Sequence, residues 1–138
     1  MATTATITLA SADLTSDALS LSSTQTLYDA GTTNSVAEYD MGKIEIPGDN
    51  NIHILIDSTA AGVDKANKVY IANKNTDETH YVIISINEVV LGRLYAGDWM
   101  FIPWSQTDAA ADLEIKAPNE VNTIEYLVFH EGRTYTGA

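Results

Sequence analysis

Three histidines, His53, His80 and His130, and 19 acidic side chains are the residues of this chain with the means to do chemistry. A metal centre needs ligands spaced so that one loop or one face gathers them, as in H-x-H or H-E-x-x-H. None of the histidines stands at such a spacing. His53 and His130 fall in segments that alternate like strands, and His80 falls in a polar turn. Unless the fold brings them together, they read as ordinary surface or boundary histidines. Asp49, Asp57 and Asp64 along one stretch, and Asp108 and Asp112 along another, raise calcium, but the tight acidic loop that calcium favours is absent. A site built from distant segments is the alternative to a solvated acidic surface. Paired carboxylates at glycosidase separation arise by chance among so many acids. There is no G-x-S-x-G elbow, Walker loop or G-x-G-x-x-G, and no motif from which to assemble a Ser-His-Asp triad. The chain is therefore read as no enzyme, with no metal and no cofactor.

The aromatic residues give the stronger signal. Residues 89–104, VVLGRLYAGDWMFIPW, are the densest apolar segment and read as two strands joined at Ala96-Gly97-Asp98. Alternation puts Trp99 with Phe101 on one face, and Trp104 with Met100 and Ile102 on the other. Tyr95 and Arg93 face away from Leu94. A sandwich sheet has a single inner face, so one tryptophan is expected outside the core. Three readings stand: both tryptophans in the core or at its boundary, a protein interface, or a sugar-binding platform. The interface reading places Tyr95, Met100, Ile102 and Trp104 at a contact with another subunit or a partner protein and Trp99 in the core.

The elements that must position these residues are strands. ATITL (5–9) and LSLSSTQTL (19–27) alternate apolar with hydroxyl residues, as half-buried strands do. SADLTSDA between them reads as a turn, and residues 31–41 as a loop. KIEI (43–46) and NIHILID (51–57) flank Pro47-Gly48-Asp49-Asn50, a strong turn signal, and are candidates to pair as a hairpin, with Ile52, Ile54 and Ile56 on one face. STAAGVDKANK has the only helical leaning, which Gly62 opposes. KVYIAN (68–73) follows, and then YVIISI (81–86), apolar and β-branched throughout, reads as a central strand buried on both faces. SQTDAAAD reads as a loop. LEIKA (113–117) turns Leu113, Ile115 and Ala117 inward, and NTIEYLVFHEG (122–132) sets Ile124, Tyr126 and Val128 against Thr123, Glu125, Leu127 and Phe129. About eight to ten short strands without a βαβ rhythm predict an all-β, jelly-roll-like β-sandwich with little helix. It forms a single domain over residues 1–138, with 1–35 a candidate extended arm and 133–138 a loose tail.

Composition narrows the function. The chain has 138 residues, enough for one core, and 45% hydrophobic residues, as expected for a packed domain. Its 7 basic residues are scattered among 19 acidic ones, for a net charge of −12, which argues against binding nucleic acid or anionic membrane. The absence of cysteine excludes disulfides and thiolate sites. No apolar run reaches bilayer length. The N-terminus lacks the basic and long apolar regions of a signal peptide, so synthesis in a cytoplasm is expected.

A resemblance supplies the rest. The chain runs from Lys68-Val69-Tyr70-Ile71-Ala72-Asn73 through Thr76 and Thr79 to Ile86. It continues with Leu94 to Asp98, then Pro103, and closes on Ile124-Glu125-Tyr126. This succession resembles small β-sandwich structural proteins of tailed-phage virions, notably marine and cyanobacterial phages. The opening ASADLTSDALSLSSTQTLYDAG is also similar to their N-termini. The resemblance implies a capsid decoration (cement) protein, made in the host cytoplasm, that binds the major capsid protein on the outer surface of the head. It would do so as a homo-oligomer, a trimer being the leading expectation. The alternative is a tail or fibre component with a receptor- or carbohydrate-binding role. No functional residue carries over from it.

Overall fold

The computed structural model describes residues 2–13, 18–58, 65–105 and 111–134. The readings of SADLTSDA, of the helix-leaning stretch, of the SQTDAAAD loop and of the tail fall wholly or partly outside these residues, as do Asp64 and Asp108. Ten strands follow one another: β1 Thr3–Ser11, β2 Leu19–Leu27, β3 Glu38–Ile46, β4 His53–Ile56, β5 Lys65–Asn73, β6 Tyr81–Ile86, β7 Val89–Tyr95, β8 Trp99–Trp104, β9 Leu113–Lys116 and β10 Asn122–Thr134.

Eight of them form two four-stranded sheets, ordered β3-β10-β5-β8 and β4-β9-β6-β7. The antiparallel pairs β3 with β10, β4 with β9, β5 with β8 and β6 with β7 describe one long ribbon doubled back at the β6–β7 turn. Rolling that ribbon brings β10 beside β5 and β9 beside β6, which closes each sheet. This is the jelly roll expected from the sequence. β1 and β2 stand apart as a two-stranded hairpin in full antiparallel register.

The core lies between the sheets. Val69 and Ile71 of β5, Ile124 and Val128 of β10, Val82 and Ile84 of β6, and Leu113 and Ile115 of β9 are all buried in one cluster. These are the inward positions that alternation predicts for β9 and β10. Ile84 is buried as expected of a central strand, and on the other face of β6 Ser85 is buried while Ile83 is partly covered. Burying an aliphatic side chain of this size contributes about 1.5–3 kcal/mol, which makes this cluster the principal source of stability.

Two local expectations are corrected. β3 and β4 are not a hairpin: the chain crosses from one sheet to the other between them. Gly48 sits in that crossing, where a Cβ would stand 2.6 Å from the backbone nitrogen of Glu120, so the β9–β10 turn packs directly on the glycine backbone. In β4 a register shift between Ile54 and Ile56 breaks the alternation, so Leu55 and Ile56 are buried while Ile52 and Ile54 are exposed.

Candidate interaction surface

The two tryptophans share a strand and have opposite fates. The pairing of side chains along β8 is the predicted one, but the faces are reversed. Trp104 is 3% exposed and belongs to the core, with Met100 and Ile102 packed against the same cluster. Trp99 is 50% exposed. The expectation that Met100, Ile102 and Trp104 line an external contact is therefore corrected. Both faces of this strand are apolar, and the one carrying Met100, Ile102 and Trp104 is turned to the core. Tyr95 is exposed, as expected, but on the other sheet, where its ring lies 5.1 Å from that of Tyr81 with the Arg93 guanidinium 4.8 Å above Tyr81.

With Trp99 outside, an apolar face appears that the sequence did not announce. The register of the β3-β10-β5-β8 sheet lines up Met41, Leu127, Tyr70 and Phe101 in one row across all four strands. Trp99 sits opposite Ala72 beside that row, and its ring is 6.5 Å from that of Tyr70. Tyr39 lies opposite Phe129. Tyr39 and Met41 are largely exposed, at 59% and 66%. They were missed because 31–41 read as a loop, whereas β3 begins at Glu38. The signal was present in the alternation of Tyr39, Met41 and Lys43 with Asp40, Gly42 and Ile44.

The N-terminal hairpin leans on this face. Ala5, Thr6 and Ile7 form one wall of a groove of about 330 Å³ whose floor includes Tyr70, Trp99, Phe101 and Leu127. One side of the hairpin is a ladder of hydroxyls, with Thr6 and Thr24 Oγ1 atoms 2.8 Å apart and Thr8 Oγ1 3.3 Å from Ser22 Oγ. The other side carries Ile7, Leu9 and Leu21, all exposed, so the expected half-burial of these strands is not met within the single chain.

The histidines singled out by type lie far apart in the fold, each beside a carboxylate. Each histidine pairs with an aspartate: His53 with Asp49 at 3.1 Å, His80 with Asp77 at 3.5 Å and His130 with Asp40 at 2.8 Å. No two histidines join in a metal-binding group among the described residues. Asp49 is held below the usual carboxylate range by the backbone N–H of Asn51 and by His53. Asp77 is lowered by the backbone N–H and hydroxyl of Thr79.

A network of asparagines ties together three turns at one end of the sandwich. Asn73 Nδ2 donates to the Leu94 carbonyl and to Asn122 Oδ1, both at 3.0 Å, and Asn75 Nδ2 donates to the same Asn122 oxygen at 2.8 Å. Thr123 N–H donates to Asn75 Oδ1, and Gly97 N–H to the Asn73 carbonyl. Gly97 takes φ +87°, and Asp98 accepts from Tyr95 N–H at 2.9 Å. Asn73 and Asn122 are fully buried, so each broken bond there leaves a desolvated group unpaired.

No protein-family model and no curated protein matches the chain. No helix among the described residues is long and apolar enough to cross a membrane.

Proposed function

We propose that this protein is a non-enzymatic virion structural component, a capsid decoration protein that attaches to the outside of a phage head and stabilises it. One observation carries the reading. The outer face of the β3-β10-β5-β8 sheet presents Tyr70, Phe101, Leu127 and Met41 in one row with Trp99 beside it, only partly covered by the chain's own hairpin. Contiguous apolar surface on a soluble domain marks a protein contact, and aromatic anchors concentrate binding energy there. The net charge of −12 suits a particle surface that must stay dispersed. Jelly rolls serve many functions, so the fold is compatible with the reading but does not select it.

Electron cryomicroscopy of the parent particle tests it. The expected result is density of this shape repeated over the head lattice, with the Trp99 face turned toward a protein neighbour. Density confined to the tail, or absence from the particle, overturns the reading.

One feature favours the alternative of a tail or fibre module that binds a receptor glycan. Trp99 is half-exposed beside Tyr70 at the mouth of a groove, and such rings stack on sugars. Glycan-array binding that disappears in Trp99→Ala would select that alternative.

A further inference from the structure

Both ring nitrogens of His130 meet oxygen atoms: Nδ1 lies 2.8 Å from Asn67 Oδ1, and Nε2 lies 2.8 Å from Asp40 Oδ2. The Asn67 amide has one workable orientation. Its Nδ2 donates to the carbonyls of Lys65 at 3.2 Å and Trp104 at 3.4 Å, and turning it round would set Oδ1 against both of those oxygens. Asn67 is 2% exposed, so solvent is not there to relieve that clash. Its oxygen therefore faces His130, and Nδ1 donates. The Asp40 carboxylate only accepts, so Nε2 donates as well. A ring that donates from both nitrogens is the imidazolium.

The fold puts this ring where four strands cross one line. The registers set Glu38 of β3, His130 of β10, Asn67 of β5 and Trp104 of β8 in one row across the sheet. The bonds from Asp40 through His130 and Asn67 to the Trp104 carbonyl tie all four strands together. Just beyond His130 the β10–β5 register breaks, and the hairpin root joins there, with Ala30 N–H donating to the Glu131 carbonyl at 2.9 Å. Carboxylates surround the ring. Asp29, Glu38 and Glu131 line the groove on one side of it, and Asp40 and Asp57 line the groove on the other. The cations of the neighbouring strand β5 are Lys65 and Lys68, and Lys68 Nζ is engaged 2.6 Å from Glu131 Oε1. An excess of negative charge favours a protonated ring. His80 is built the opposite way. Its Nδ1 lies 3.2 Å from Asn75 Nδ2, and that amide is fixed because its Oδ1 accepts from Thr123 N–H. Nδ1 of His80 therefore accepts, and that ring is neutral.

We propose that His130 is a proton-operated clip that fastens the edge strand β3 to its sheet. Protonated, the ring bridges Asp40 and Asn67. Without the Nε2 proton, a lone pair faces the Asp40 carboxylate and the bond to β3 becomes a repulsion. Nδ1 keeps its bond to Asn67, so the release is confined to β3. That is the strand on which Tyr39 and Met41 flank Asp40 and stand exposed on the other face. The clip goes beyond the decoration reading and does not depend on it, because it concerns how the chain holds one of its own strands.

Nitrogen NMR of the full chain, isotope-labelled at histidine, reads the rings directly. At about pH 7.5, where a free imidazole is mostly neutral, both nitrogens of His130 should carry a proton, whereas His80 should show one protonated and one bare nitrogen. In Asp40→Asn the new amide can turn its NH2 toward Nε2. The ring of that variant should therefore give up its second proton at the same pH, with an unchanged far-ultraviolet circular dichroism spectrum. At alkaline pH, hydrogen exchange of the amides from Tyr39 to Met41, corrected for its intrinsic pH dependence, should rise several-fold in the native chain and stay level in Asp40→Asn. A bare nitrogen on His130 of the native chain at about pH 7.5 overturns the imidazolium. A second proton that survives in Asp40→Asn overturns Asp40 as its holder. Exchange on β3 that ignores the loss of the proton overturns the clip.

Discussion

At the scale of single residues, the tryptophans show what alternation along a strand does and does not encode. It correctly separated Trp99 and Phe101 from Met100, Ile102 and Trp104, because side chains on a strand alternate whatever surrounds them. It did not say which set faces the core, because both sets are apolar and the choice depends on strands distant in sequence. The structure makes the two residues separable by experiment. Trp104→Ala should cost about 3–5 kcal/mol in urea unfolding, since Trp104 is fully buried. Trp99→Ala should change the stability of the monomer by less than about 1 kcal/mol while weakening protein binding. Equal losses in the two variants would contradict the assignment of faces. The aspartates give a prediction in pH. Asp49 and Asp77 have native values below their ordinary one, so each stabilises the fold above the ordinary aspartate value and loses that contribution as pH falls through the lowered one. Between pH 5 and pH 2 the melting temperature of the native chain should therefore fall further than that of the Asp49→Asn, Asp77→Asn double variant. Parallel curves would remove these two carboxylates from the acid response.

At the scale of elements, the strands were legible and their partners were not. β2 and β6 were read to their final residues, since clean alternation or a β-branched run bounded by polar turns admits one interpretation. The mistaken β3–β4 hairpin followed from treating neighbours in sequence as neighbours in a sheet, which a chain that alternates between two sheets does not obey. The β6–β7 connection is a true hairpin and shows local strain under control. Asn87 and Glu88 both take positive φ, 47° and 65°, as a two-residue turn between twisted strands requires. Glu114 holds the turn from the next strand: its Oε2 accepts from Glu88 N–H at 2.9 Å and from the Ser85 hydroxyl at 2.8 Å. Glu88→Gly keeps that backbone donor and relieves the side chain, so it should stabilise the protein by about 1 kcal/mol. Glu114→Ala should destabilise it by about 1–3 kcal/mol through two unpaired donors. Thermal and denaturant unfolding of the two variants should therefore move in opposite directions.

At the scale of the molecule, the jelly roll and the hairpin are separate stores of structure. The sandwich closes its own core, whereas the hairpin shares only its root and middle with it. A chain beginning at Leu27 should therefore keep a cooperative β-sheet transition. Loss of the transition would show that the hairpin is part of the core. The order of strands has a consequence in time. β10 is made after every other described strand of the sandwich, yet it lies in the interior of its sheet, paired with β3 on one side and β5 on the other. The hairpin can zip up from local contacts within microseconds. β3 and β5 must wait, with open edges, until β10 has been made. Folding of the sandwich thus falls among the slow, non-local topologies. A chain cut short before Asn122 leaves two apolar strands with no partner between them, which is the state in which nascent β-proteins aggregate.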